Sequence, residues 1–272
     1  MYFIKSIIDI LMVLLLLRLL IRPNEALFDP IYRLIYRITD PVLIPSSYIT
    51  RSPFQRILLI LLALVVLRGA VFVSTTPMSF ISGIGISVLN LFQLLFKAYM
   101  VMWFVSVLSQ RGFGTSFNRM IERAFFPFYT VAGRLEIPRR FFFLFVFLSL
   151  LAIYVLISIM IRYIIIPRAI FSPFSALFGL GEGLMLILSL FPFPGFFSLV
   201  IVIGALLSWV SPDPYNPVVQ AIYGISEPLL VPFRRLIPNI GGLDISPILA
   251  LLCFQIVGGL GQRFIGNLMG LV

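Results

Sequence analysis

The sequence predicts an all-α fold, a polytopic membrane helix bundle. It has about six spans in three span–amphipathic loop–span units, plus short interfacial or re-entrant helices. Three observations predict it. Of 272 residues, 61% are hydrophobic and only 11% carry charge, against roughly a quarter in soluble domains. Long runs such as 57–73 and 141–161 are nearly free of charge, and a membrane helix needs ~20 mainly apolar residues. Finally, Phe28-Asp29-Pro30, Tyr36, Thr39-Asp40-Pro41 and Pro45 return 187 residues later as Tyr215-Asn216-Pro217, Tyr223, Ser226-Glu227-Pro228 and Pro232, each set lying between two apolar runs.

The elements follow in order. The first span is expected over Tyr2 to Ile21, where Lys5 and Asp9 stand four apart and can pair on one helix face. Arg18 lies near enough to the far end to snorkel. The second span opens at Ser52-Pro53, with Ser52 as cap and Pro53 in the first turn, and runs to about Ser74. A third apolar block covers Thr76 to Gln110, a fourth Pro138 to Ile166 and a fifth Ser172 to Ser211. The last span starts at Ser246-Pro247 and reaches about Gly261. Phe191-Pro192-Phe193-Pro194-Gly195 breaks the fifth block, so 173–190 reads as a separate short helix. Pro77, Ser79 and Gly83 match Pro173, Ser175 and Gly179 at an offset of 96. By that symmetry, 77–94 is expected to be partly separate too, loosened by Gly83 and Gly85.

In the last copy of the motif, Asn216 is a helix cap and Pro217 a first helical residue; Asp29 and Pro30 play these parts in the first copy. Val218, Ile222 and Ile225 share one helix face, as do Ile31, Leu34, Ile35 and Ile38, with Arg33 and Arg37 off it. Pro228 is expected to stop the later helix, leaving 228–238 stiff and poorly helical. Such helices, tethered at both ends, should lie in the membrane interface. A fainter central copy carries Arg119, Arg123 and Pro127. The chain thus divides into a first repeat (1–75), a degenerate middle unit (76–170) and a second repeat (171–272).

Chemistry is thinly represented. There is no histidine and one cysteine, Cys253. That removes Ser-His-Asp catalysis, His-ligated metals and an internal disulfide. No paired carboxylates, P-loop or nucleophile motif stands out, so neither an enzyme nor a cofactor is expected. The net charge of +10 comes from arginines in loops beside apolar runs. It points to anionic lipid headgroups and topology, not to nucleic acid. The arginine bias puts the three loops in the cytoplasm and both termini outside. Adjacent Arg234 and Arg235 are expected to bind phosphate headgroups, pair with Glu227 or Asp244, or dock a protein. Asp244 and Ser246 can cap the last span. Glu182, between Gly181 and Gly183, is an acid within an apolar stretch, and such a residue is a functional candidate by default.

At Ser208-Trp209, Tyr215-Asn216-Pro217, Glu227-Pro228, Pro232, Arg234-Arg235, Pro238 and Gly241-Gly242-Leu243-Asp244-Ile245-Ser246-Pro247, the chain resembles the YggT family, which includes the YlmG proteins. The likeness is specific over 196–265 and weaker over 1–73. It implies an integral protein of the bacterial inner membrane without an established activity. The family has been connected with cell division, nucleoid or thylakoid organisation and osmotic tolerance. The resemblance singles out Tyr215, Asn216, Pro217, Glu227, Pro228, Arg234, Arg235, Gly241, Gly242 and Asp244 as family motif and lipid or partner contacts. The leading expectation is a membrane scaffold or assembly factor that contacts other membrane or cytoplasmic proteins. The alternative is a channel or transporter component, with Glu182 as its acid.

Overall fold

The computed structural model describes residues 2–74, 79–108, 115–165, 173–210, 213, 215–236 and 244–270. Every regular element among them is helical: α1 (Tyr2–Leu20), α2 (Pro23–Ala26), α3 (Pro30–Ser47), α4 (Pro53–Val73), α5 (Phe80–Leu108), α6 (Thr115–Arg134), α7 (Phe142–Ile165), α8 (Pro173–Leu188), α9 (Phe196–Val210), α10 (Pro217–Leu236) and α11 (Ser246–Gly270). A 3-10 turn, Arg139–Phe141, leads into α7. Among the described residues, four helical stretches are long and apolar enough to cross a membrane: Pro53–Val73, Phe80–Leu108, Arg139–Ile164 and Ser246–Gly270. Of the other expected spans, α1 carries Lys5, Asp9 and Arg18, and α9 has only 15 residues. The last helix continues well beyond Gly261, to Gly270.

The chain forms two compact units, one from Met1–Ala98 with Ile153–Ser172 and one from Tyr99–Ala152 with Pro173–Val272. In the first, α1, α3 and α4 enclose a core of Met12, Leu15, Leu43, Ile57, Leu61 and Leu64. Charge sets the register of these helices. The Arg68 guanidinium donates to both oxygens of Asp9 (2.7 and 3.2 Å), joining α4 to α1. The expected Lys5–Asp9 pair is therefore replaced, and Lys5 lies over the Phe72 ring instead (4.9 Å). A planar guanidinium matches a carboxylate bidentately, which an ammonium cannot do.

Against α4 lies α5, and here the expectation of a separate 77–94 helix fails. The helix is continuous over 29 residues from Phe80. Gly83 does not loosen it. A Cβ there would stand 2.4 Å from Val73 Cγ2, and one on Gly69 would stand 3.1 Å from the Ile84 backbone. Both glycines let two backbones approach closely. The Ser87 hydroxyl donates to Val65 O (2.8 Å) across the same contact.

In the second unit the expected break is present: α8 ends at Leu188 and α9 starts at Phe196. The turn places Phe191 beside Phe104, Phe197 and Phe254, with ring centroids 5.1–5.3 Å apart. The Ser198 hydroxyl donates to Phe191 O. Gly181 meets Met269 and Gly261 meets Leu188, so α8 runs antiparallel to the second half of α11. Gly258, the thirteenth of 25 residues in α11, faces Pro192, where an added Cβ would fall 2.4 Å from Cγ. The break between α8 and α9 therefore lies level with the middle of α11.

These contacts yield two expectations. Gly258→Ala should lower the melting temperature in detergent, by overpacking worth about 1–3 kcal/mol, whereas Gly259→Ala, with open space at its Cβ, should leave it unchanged or slightly raised. Arg68→Leu removes the hydrogen-bonded partner of Asp9, leaving only the charge of Lys97 to interact with it, and should destabilise by roughly 3 kcal/mol. Asp9→Leu added to it should recover part of that loss in the same melt.

Candidate functional site

The later copy of the repeated motif builds the site from three helices. It begins at an exposed aromatic: Tyr215 is 85% exposed, and its N–H donates to Asp213 Oδ1 (2.9 Å). Asn216 then caps α10, its Oδ1 accepting from the Val218 N–H (2.9 Å), and Pro217 opens the helix. The first copy is built alike. Asp29 Oδ1 accepts from Ile31 (2.9 Å) and Tyr32 (3.4 Å), and Pro30 opens α3. Ser52, by contrast, makes no side-chain cap bond to α4.

Pro228 does not stop α10. The helix passes through Pro228 and Pro232 to Leu236, as α3 passes through Pro41 and Pro45 and α6 through Pro127. Each proline removes one i to i−4 bond and crowds the carbonyl four residues back. At Pro228 that carbonyl belongs to Gly224. The buried face continues in register across the interruption, through Val219, Ser226, Leu230 and the half-buried Phe233. That packing outweighs the local cost. Ser226 sits against α9, where a Cβ on Gly204 would lie 3.0 Å from its Oγ. Burial divides the apolar residues of these helices. Val218 in α10, and Leu34 and Ile38 in α3, are exposed, while Tyr32, Ile35, Thr39 and Leu43 turn inward. Arg33 and Arg37 ride outside, as the spacing predicts.

The far end of α10 holds an ionic cluster. Arg234 Nη1 and Nη2 contact the Glu227 carboxylate, the latter at 3.2 Å to Oε1, and Arg234 Nε donates to Asp244 Oδ2 (2.8 Å). Asp244 also accepts from the Ser246 N–H (2.9 Å) and so starts α11. Glu227 and Arg234 are seven apart on one face of α10, so one guanidinium links that face to the N-terminus of the next helix. Of the alternatives for Arg234, pairing occurs with both acids. Hydrogen bonding to Glu227 raises its pKa further, against the opposing effect of burial. Burial acts to raise the Asp244 pKa, but hydrogen bonds from Ser246 and Arg234 outweigh it and hold the carboxyl below the usual range. Arg235 is exposed and, among the described residues, has no ion-pair partner. Gly241 and Gly242 lie outside the described residues.

Glu182 stands apart from this cluster in sequence, half-buried on α8 between the buried Gly181 and Gly183. Gly181 has a packing role, since a Cβ there would strike Met269 Sδ at 2.8 Å. A second ionic group went unread in the sequence. Arg18 of α1 pairs with Asp40 (2.7 Å), contacts Thr39 Oγ1 (2.6 Å) and lies 4.1 Å above the Tyr36 ring. Its signal was available: Asp40 is the counterpart of Glu227, and an acid beside a buried helix face needs a cation. Among the described residues, no cluster of His, Cys, Asp and Glu could hold a metal ion.

The fold and this site define a helical membrane protein whose amphipathic α10 is tied to a long apolar helix by an arginine–carboxylate cluster. Residues 182–265 match the CCB3/YggT family model, and through this segment the chain resembles that family. It is 46% identical over 88 residues to an uncharacterised protein of Pseudomonas aeruginosa, covering 29% of this chain and 44% of that one. A Haemophilus influenzae protein, also uncharacterised, is 34% identical over 95 residues, or 34% of this chain and 52% of its own. The uncharacterised protein YggT of Escherichia coli K12 is 38% identical over 73 residues, 26% and 38% of the two chains. The chain thus spans about half the length of these relatives, or less. No solved structure matches it.

The carboxylate cluster sets a pH dependence. The folded pKa of Asp244 lies below its unfolded value, so its contribution is complete above about pH 4 and disappears as pH falls through the folded value. Melts of the wild type and of Asp244→Asn between neutral pH and pH 2.5 should differ in the neutral range and converge in acid.

Proposed function

We propose that this protein is a non-enzymatic membrane scaffold or assembly factor of the bacterial inner membrane. Its three units, 1–75, 76–170 and 171–272, each present an amphipathic helix at the cytoplasmic face. One observation carries the reading. The proline-bearing helices α3, α6 and α10 all expose large apolar side chains beside arginines: Leu34 and Ile38 near Arg33 and Arg37, Phe126 near Arg119, and Val231 and Leu236 near Arg234 and Arg235. Such a surface is costly in water and stable at a membrane boundary, where acyl chains meet the apolar side and headgroups the cationic one. The aromatic that precedes each capped helix, Phe28 at 86% and Tyr215 at 85% exposure, supports the same placement.

On this reading Arg235 is the cation available to a lipid or protein, and Arg234 ties the end of α10, which carries it, to the start of α11. Cell division or nucleoid and membrane organisation enter through the family resemblance. A second reading, a channel or transporter component, is favoured by the helix break level with the middle of α11, with Glu182, about 9 Å of helix before the end of α8, as its acid. Broken helices commonly form the substrate site in transporters.

Photo-crosslinking from α10 in cells tests the first reading. Arg235→Ala should remove the crosslinked partners while Arg234→Lys weakens them, and unchanged crosslinks in Arg235→Ala would contradict the docking role. Proton or potassium flux into proteoliposomes that Glu182→Gln abolishes would favour the second reading.

A further inference from the structure

In the first unit, α1, α3 and α4 leave a pocket of about 480 Å³ with a mixed wall. This volume lies within the ~300–1,000 Å³ usual for small-molecule sites. Arg18, Arg56, Tyr36 and Asp40 supply its polar side. Leu43 and Ile57, both buried, form its apolar depth, and Ile44 and Phe54, 56% and 61% exposed, its open rim. Arg18 is the third residue from the C-terminal end of α1, and Arg56 is in the first turn of α4, just after Pro53. The polar side therefore lies at the end of a helix that is long enough to cross a membrane. The apolar wall extends from there into the helix.

The two arginines differ in what they have free. Arg18 is held by Asp40, Thr39 and the Tyr36 ring. Arg56 uses only its Nε, donated to Thr50 O (2.9 Å). Among the described residues its two terminal nitrogens have no partner, so they form an open fork. With Asp40 already neutralised by Arg18, the lining keeps one uncompensated positive charge. Arg22, Arg33, Arg37 and Arg51 stand on the same loop and helix.

We propose that this pocket binds the phosphodiester of a membrane glycerophospholipid, with the Arg56 fork on the phosphate and an acyl chain along Leu43, Ile57 and Phe54. Charge selects an anion, and a guanidinium fork suits phosphate oxygens. The exposed apolar rim distinguishes a lipid from free phosphate, which would gain nothing from Phe54 or Ile44. The inference does not rest on the scaffold reading, since it concerns α1, α3 and α4 and not the α10 cluster.

The test is native mass spectrometry of the full chain, delipidated in mild detergent and titrated with palmitoyl-oleoyl phosphatidylglycerol, dioleoylglycerol or inorganic phosphate. One phosphatidylglycerol should bind per chain, ahead of any weaker additional copies, with neither other probe matching it. Arg56→Ala should weaken that first binding by about tenfold, the effect of losing a charge-assisted contact, and Arg56→Lys should retain part of it. Ser47→Phe places a ring at the exposed rim with Arg56 intact. It should block the lipid and so keeps the test decisive where Arg56→Ala fails to fold. Arg263→Ala, on α11 and outside the lining, should leave that first binding as in the wild type. Undiminished binding in both Arg56→Ala and Ser47→Phe would overturn the site. Equal uptake of dioleoylglycerol would reduce it to apolar adhesion, and displacement of the lipid by inorganic phosphate would make it a soluble-anion site; either result overturns the proposal.

Discussion

Cations set among apolar helices must be matched, and three arginines organise this structure by that requirement. Arg68 reaches from α4 to Asp9 of α1, Arg18 from α1 to Asp40 of α3, and Arg234 from α10 to Asp244 before α11. Apolar contact alone is non-directional and tolerates sliding between helices. A guanidinium–carboxylate contact does not, because a slip of one turn separates the charges by about 5 Å and, for the largely buried Arg68–Asp9 pair, leaves each to be desolvated alone. The pairs add little net stability over apolar packing. What they exclude is misregister, and each links helices that are distinct in sequence.

The two motif copies show that the matched acid matters more than the identity of its partner. Asp40 and Glu227 correspond at the offset of 187, yet they are neutralised from different directions. Asp40 receives Arg18 from the preceding helix, where the second copy has Ala205. Glu227 receives Arg234 from its own helix, where the first copy has Ser47. Exchange of the partner changes what the helix end can do. In the second copy the arginine reaches on to Asp244 and ties the end of α10 to the start of α11. In the first copy Ser47 leaves that end of α3 untied, and the pocket beside Arg56 opens there.

Much of the fold was legible because it is local. Caps at Asp29 and Asn216, the opening prolines and the break at Phe191 to Gly195 follow from backbone preferences over a few residues. Pro228 was misread for the complementary reason. Local preference opposes helix there, but the inward face from Val219 to Phe233 is buried against other helices, and no window around the proline reports that burial. The same holds for Gly83, which resembles a weak point in sequence and is a backbone contact in space. Lys5–Asp9 was a reasonable local pair displaced by a better partner 59 residues away. Long-range pairing, not propensity, decided each of these cases. The Arg234 cluster was half legible, since both acids were foreseen as partners but not that one guanidinium would take them together.

The contrast between α5 and the α8–α9 pair carries the argument into membrane physics. At 29 residues α5 is about 43 Å long, more than the ~30 Å of a hydrocarbon core, whereas α8 and α9 at about 24 and 22 Å each fall short of it. The third and fifth apolar blocks thus differ: α5 runs uninterrupted, while Phe191 to Gly195 separates α8 from α9. Backbone groups freed at such a break must be satisfied by protein where water is absent. The structure does this from both sides: the Ser198 hydroxyl and the Phe197 N–H bond carbonyls of the preceding turn, and Gln255 of α11 accepts from the Phe193 N–H at 3.1 Å. A break supported this way, with Gly258 opposite to admit Pro192, is a built feature of the helix pair. It lies in the half of the chain that carries the family segment, so the feature least expected of a simple anchor belongs to the shared part of the molecule.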